Sequence, residues 1–140
     1  MSSTQATATP DYLEIVVNTR HGGFGLSDEA KMLYGEPFPY EVERTDPKLV
    51  EIVKKLGDRA NGDFAELRVQ RIPRQYTDFY RIDEEDGWEC VVVEYDKYKI
   101  HQTKCILQDL QLTQTERITR AVAMLEADLQ PPLWQANEYA

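Results

Sequence analysis

A chain of 140 residues, 41% hydrophobic and 29% charged, has the size and composition of one globular domain with a core of its own. Its formal charge of −9, from 25 acidic against 16 basic residues, argues against a phosphate-backbone binder, so no nucleic-acid partner is expected; an acidic DNA-mimicking surface stays open on charge alone. No apolar run approaches the roughly 18 residues of a membrane-spanning helix, and Cys90 and Cys105 read as reduced thiols, so neither a membrane nor a secretory setting is expected.

Met1 to Pro10 carry no charged side chain and no apolar stretch, and read as a flexible Ser/Thr/Ala tail rather than a signal peptide. Residues 11 to 130 read as a single α+β domain, a mixed or antiparallel sheet of about four strands packed by two or three helices. Tyr12 to Asn18 is the first strand, and Ile15, Val16 and Val17 put apolar side chains on both of its faces, as in a central strand. Gly22, Gly23 and Gly25 then bend the backbone. Ser27 suits an N-cap, Asp28 and Glu29 suit the positive end of a helix dipole, and Leu26, Ala30 and Leu33 make a short apolar stripe closed by Gly35. Tyr40 to Arg44 is at most a short extended edge.

Asp46 and Pro47 form a cap followed by proline in the first helical position, and Leu49, Ile52, Val53 and Leu56 recur at helical spacing until Gly57. Ala65, Leu67 and Val69 alternate with Glu66, Arg68 and Gln70, the pattern of a half-buried strand that Pro73 ends. Phe79 to Ile82 and Trp88 to Tyr95 flank Asp86-Gly87, a hairpin signal; Cys90 and Val92 share a face with Trp88, Val91 and Val93 take the other, and both faces read as covered. Lys97 to Leu112 has no clear period and reads as an extended segment or loop. Thr113 and Glu116 make a capping box for a helix whose stripe, Ile118, Ala121, Val122, Leu125 and Leu129, runs toward Pro131-Pro132 and must be buried against the sheet, another subunit or a partner. Residues 131–140 are a proline and aromatic tail.

Two readings of the glycine stretch compete. A glycine loop between a strand and a helix start is how phosphates are cradled, and Arg20 and His21 add positive charge, so Arg20, His21, Gly22, Gly23, Gly25 and Ser27 are the candidate ligand residues, for a nucleotide or acyl-CoA. The order faintly resembles the pyrophosphate loop of N-acetyltransferases, but the dinucleotide and P-loop patterns are absent. The other reading is tight-turn geometry, with Ser27 a cap rather than a nucleophile, and it is favoured. Cys90, His101 and Cys105 lack a metal-ligand spacing, and Asp83 to Gly87 lacks that of a calcium loop, so no metal or cofactor is expected. The aromatics from Tyr76 to Tyr98 read as core before binding face.

The stretch Val16-Val17-Asn18-Thr19-Arg20-His21-Gly22-Gly23-Phe24-Gly25-Leu26-Ser27-x-x-Ala30 is similar to the opening of a family of small uncharacterised proteins of tailed phages and large DNA viruses. The similarity continues through Arg44-Thr45-Asp46-Pro47, Leu49-Val50, Leu56-Gly57, Ala60-Asn61-Gly62, Ala65-x-Leu67, Ile72-Pro73 and Tyr80-x-Ile82-x-Glu84-x-Asp86-Gly87-x-Glu89, covering residues 13 to 95. The resemblance implies a viral setting, the virion or the host-cell cytoplasm, and no mechanism. Beyond residue 100 the chain departs from that pattern, and the capped helix at 113–129 and the tail read as an extension. The expected role is therefore non-enzymatic, through a viral or host protein partner bound by Leu125, Leu129, Leu133 and Trp134, with a homo-oligomer left open.

Overall fold

The computed structural model describes residues 11–35 and 42–130, so the expectations for both tails and for Tyr40 and Glu41 lie outside the described residues. β1 (Tyr12–Asn18) pairs antiparallel with β2 (Leu67–Pro73), from Tyr12 opposite Pro73 to Asn18 opposite Leu67. β3 (Tyr80–Glu85) and β4 (Trp88–Val93) form a second antiparallel pair. The α+β class is as expected, with the four strands among the described residues divided between two ladders. Asp86 (φ 51°) and Gly87 (φ 88°) make a two-residue turn with both centres left-handed, the geometry that follows the twist of a hairpin.

β1 is covered on both faces, as its apolar run implies, but by layers rather than by flanking strands. Val16, with Leu67 and Val69 of β2, packs against α1 (Asp28–Tyr34) and α2 (Pro47–Leu56). Ile15 and Val17, with Ile72, face Tyr76 and Val91 in a second cluster. The lateral edge of β1 meets irregular chain, the Val16 amide donating to the Arg44 carbonyl at 2.8 Å. α1 is capped by Ser27 and ended by Gly35, yet its inward stripe is Leu26, Ala30 and Tyr34; Leu33 is 46% exposed. α2 has the expected cap and proline and buries Leu49, Val50, Ile52, Val53 and Leu56.

The stretch read as loop or extended chain between 97 and 112 is mostly helix. α3 (Tyr95–Leu107) starts at Glu94 without a side-chain cap. It is held instead by tertiary contact: Tyr95 and Tyr98 meet Tyr76 edge-on at 5.2 and 4.9 Å, and Phe79 meets Tyr98 at 5.4 Å. Packing of this kind overrides a weak local pattern. α4 (Gln114–Glu126) carries both bonds of the capping box, then leaves the helix at Ala127, short of the expected Leu129. It packs chiefly on α3, with Thr103 and Ala121 buried between them. No helix among the described residues is long and apolar enough to cross a membrane.

Candidate functional site

The glycine bend is built around Asn18, the last residue of β1 and fully buried. Its amide nitrogen Nδ2 donates to the carbonyls of Arg20 and Gly87, both at 2.7 Å, and its Oδ1 accepts from the Glu66 amide at 2.8 Å. One side chain thus ties the bend to the β3–β4 turn and to the chain entering β2. The Asn18 backbone amide donates to Glu89 Oε1 (3.0 Å), which also accepts from Arg44 Nη1 (2.5 Å), and the Arg44 guanidinium lies 3.6 Å over the Phe24 ring. Glu89 is 7% exposed, so its charge is buried but paired and hydrogen-bonded. On the same inner face, the Val91 amide donates to Gln70 Oε1 at 3.1 Å. Polar side chains therefore join the two ladders where backbone pairing does not.

The bend is clasped from both sides. The Gly22 amide donates to the Asp86 carbonyl at 3.2 Å, and the Gly62 amide to the Gly25 carbonyl at 2.9 Å. A Cβ on Gly87 would stand 2.7 Å from the Gly22 nitrogen and against Gly23, so the hairpin tip abuts the bend backbone to backbone. Gly22 and Gly23 take φ of 124° and 108°, values that L side chains rarely adopt. These are the demands of shape.

A cleft of about 730 Å³ opens beside the bend, lined by Gly22 to Leu26, Lys31, Arg44 and the Gly62–Phe64 turn. Three of the six sequence candidates, Gly22, Gly23 and Gly25, lie on its wall; Arg20, His21 and Ser27 do not. Arg20 is exposed. His21 sits at the hairpin tip, its Nδ1 3.2 Å from the Asp86 carbonyl and its ring 5.4 Å from that of Trp88. The Ser27 hydroxyl donates to the Arg59 carbonyl (2.6 Å) while accepting from the Ala30 amide (3.1 Å), which engages it as a cap. The charged groups on the cleft wall are Lys31, Arg44 and Asp63, with Arg44 engaged by Glu89. Phe24 and Phe64 give it an aromatic rim.

His101 and Cys105 fall one turn apart on α3, Nε2 to Sγ 3.6 Å, and Cys90 lies on β4; no group of three metal-capable side chains occurs among the described residues. Burial raises the phenols of Tyr76, Tyr80 and Tyr95 above their ordinary value, consistent with aromatics that serve mainly as core. The outer face of β4 is less covered than its pattern implies, with Trp88 44% exposed. Of the partner-binding candidates, Leu125 is 55% exposed, Leu129 is half-buried, and Leu133 and Trp134 lie outside the described residues.

The Asn18, Arg44, Gln70 and Glu89 network was not visible as a unit in the sequence. One signal was available: Glu89 falls in step with Val91 and Val93 and so had to share their inner face. Comparison with protein-family models, with curated proteins and with solved structures gave no match.

Proposed function

We propose that this is a viral or phage-type protein without enzymatic activity that works through protein–protein contacts, as a virion component or a host-interaction protein. The observation that carries the contact role is the outward side of the α3–α4 pair, where Ile118, Val122 and Leu125 are 53, 47 and 55% exposed along one helix. Scattered apolar residues are normal on a surface, whereas a repeated i, i+4, i+7 set is the side of a helix that packs. The glycine bend supports the non-enzymatic part, because its strained backbone is explained by internal contacts. The viral setting is supported by the resemblance over residues 13 to 95. The test is proteomics of particles and affinity capture with the full chain and with an Ile118→Glu/Leu125→Glu variant. Partners kept by the variant, or no partner in either, would refute the contact role.

A second reading, a nucleotide or acyl-CoA site, is favoured by the cleft beside the bend. A ligand at ~100 times its dissociation constant stabilises the fold by roughly 2.7 kcal/mol, so a thermal-shift screen with both classes decides it; no shift removes the reading.

A further inference from the structure

The α3–α4 pair has a definite inner and outer side. Its own interface is fixed by Lys99 Nζ donating to the Leu125 carbonyl (3.0 Å), by buried Thr103 and Ala121, and by half-buried Ile106, Arg117 and Met124. Each step along a helix turns a side chain by about 100°. On α3, the residue one step before Lys99 is Tyr98, which lies on the aromatic cluster of the body. One step after the interface positions stand Lys104 and five apolar residues, Ile100 and Leu107 on α3 and Ile118, Val122 and Leu125 on α4. Because the two helices run antiparallel, their opposite screw senses bring all five to the side away from the body. The exposures agree: 52% for Ile100, 50% for Leu107, and 47 to 55% for the three on α4.

We infer that a second copy of this chain occupies this face, the two helical pairs closing into a four-helix bundle about a two-fold axis along the helices. The inference rests on the contact role proposed above and names its partner. A two-fold axis in that direction puts α3 of one copy over α4 of the other, so every helix has antiparallel neighbours, the arrangement of up-down bundles. It also sets opposite charges side by side. Lys99 bonded to Leu125 puts the start of α3 level with the end of α4, so Lys97 of one copy, which stands 3.0 Å from its own Glu94, comes beside Glu126 of the other. The area sets the strength. Helices of 13 residues are roughly 20 Å long and about 10 Å across, giving ~400 Å² per copy and ~800 Å² for the pair. That is below the ~1,200 Å² of stable complexes, so the dimer is a weak one whose population rises with concentration.

The test is sedimentation velocity and light scattering of the full chain from about 1 to 500 μM, a range that brackets weak association. A monomer–dimer equilibrium is expected, weakened by roughly tenfold or more in Ile118→Glu/Leu125→Glu and unchanged in Met32→Glu, on the 81% exposed Met32 of α1. Lys97→Glu weakens it, and adding Glu126→Lys restores it. Thermal unfolding of each variant confirms that it is folded. Dimerisation indifferent to charge at 118 and 125 overturns the assigned face. A chain monomeric throughout, whose captured partner still depends on Ile118 and Leu125, overturns the second copy and leaves the contact role standing. A monomer that dimerises only after removal of residues 131–140 assigns the face to the chain's own end and overturns the inference too.

Discussion

Replacing Asn18 by alanine removes three hydrogen bonds from a fully buried side chain, two donated by Nδ2 and one accepted by Oδ1. At about 1 kcal/mol each, the bonds alone amount to roughly 3 kcal/mol. The void left by the carboxamide adds about 1 more, so the expected loss is ~3–4 kcal/mol. Urea unfolding followed by far-UV circular dichroism measures it, as a lower midpoint with an unchanged slope. Asn18→Asp keeps the size and one acceptor but turns the donor into an oxygen facing the Arg20 and Gly87 carbonyls, near Glu89. Its folded-state pKa is therefore raised. Well below the unfolded carboxyl value of about 3.9 the deficit against wild type is only that of the one donor a protonated carboxyl lacks, and it grows as pH rises through that value toward the folded one. A loss under ~1 kcal/mol for the alanine variant, on the order of a single hydrogen bond, would refute the idea that Asn18 holds the bend to the hairpin.

Gly87→Ala drives a methyl into the Gly22 and Gly23 amides at a φ of 88°, whereas Gly23→Ala, at 108°, meets open space. Both lose the ~1 kcal/mol or more of backbone strain, and Gly87→Ala loses at least ~2 kcal/mol beyond it; equal losses in thermal or urea unfolding would show that the tip does not press on the bend. The Thr103 hydroxyl is buried with no hydrogen-bond partner among the described residues, so Thr103→Val should raise stability by about 1 kcal/mol, read as a higher melting temperature; a fall would mean the hydroxyl has a partner. The Tyr34 hydroxyl donates to Asp46 at 2.5 Å and holds that carboxyl below its ordinary value, while the same bond raises the Tyr34 phenol. A depressed carboxylate adds stability at pH above its unfolded value, and that stability is lost as pH falls through the folded value. In carbon-detected titration Asp46 should move up in Tyr34→Phe, and no movement would refute the link.

The parts of the fold set by local chemistry were legible in the chain. Asp46-Pro47, the Thr113–Glu116 box and Asp86-Gly87 each satisfy or shape backbone within a few residues, so they act wherever the rest of the molecule lies. α3 was not legible because its apolar residues serve two sides. Tyr95 and Tyr98 face the body while Ile100 and Leu107 face outward, which erases the single stripe that marks a helix. The site was half legible. The strand-to-turn transition named the glycines, but Gln70 read as an outward-facing residue of an alternating strand, and no local pattern gave Glu89 its partners. Their burial depends on where a second ladder comes to rest, some 20 to 70 positions away in the chain.

The aromatic joint between body and helices has a consequence for how this protein tolerates change. Tyr76, Phe79, Tyr95 and Tyr98 meet through ring edges, and α4 reaches the rest mainly by way of α3. A joint of that kind asks little of the chain beyond its first two turns. The outward helix can drift in sequence, or be exchanged for another, while the strands beneath keep their register. The surface those helices present and the foldability of the strands are thereby free to vary separately.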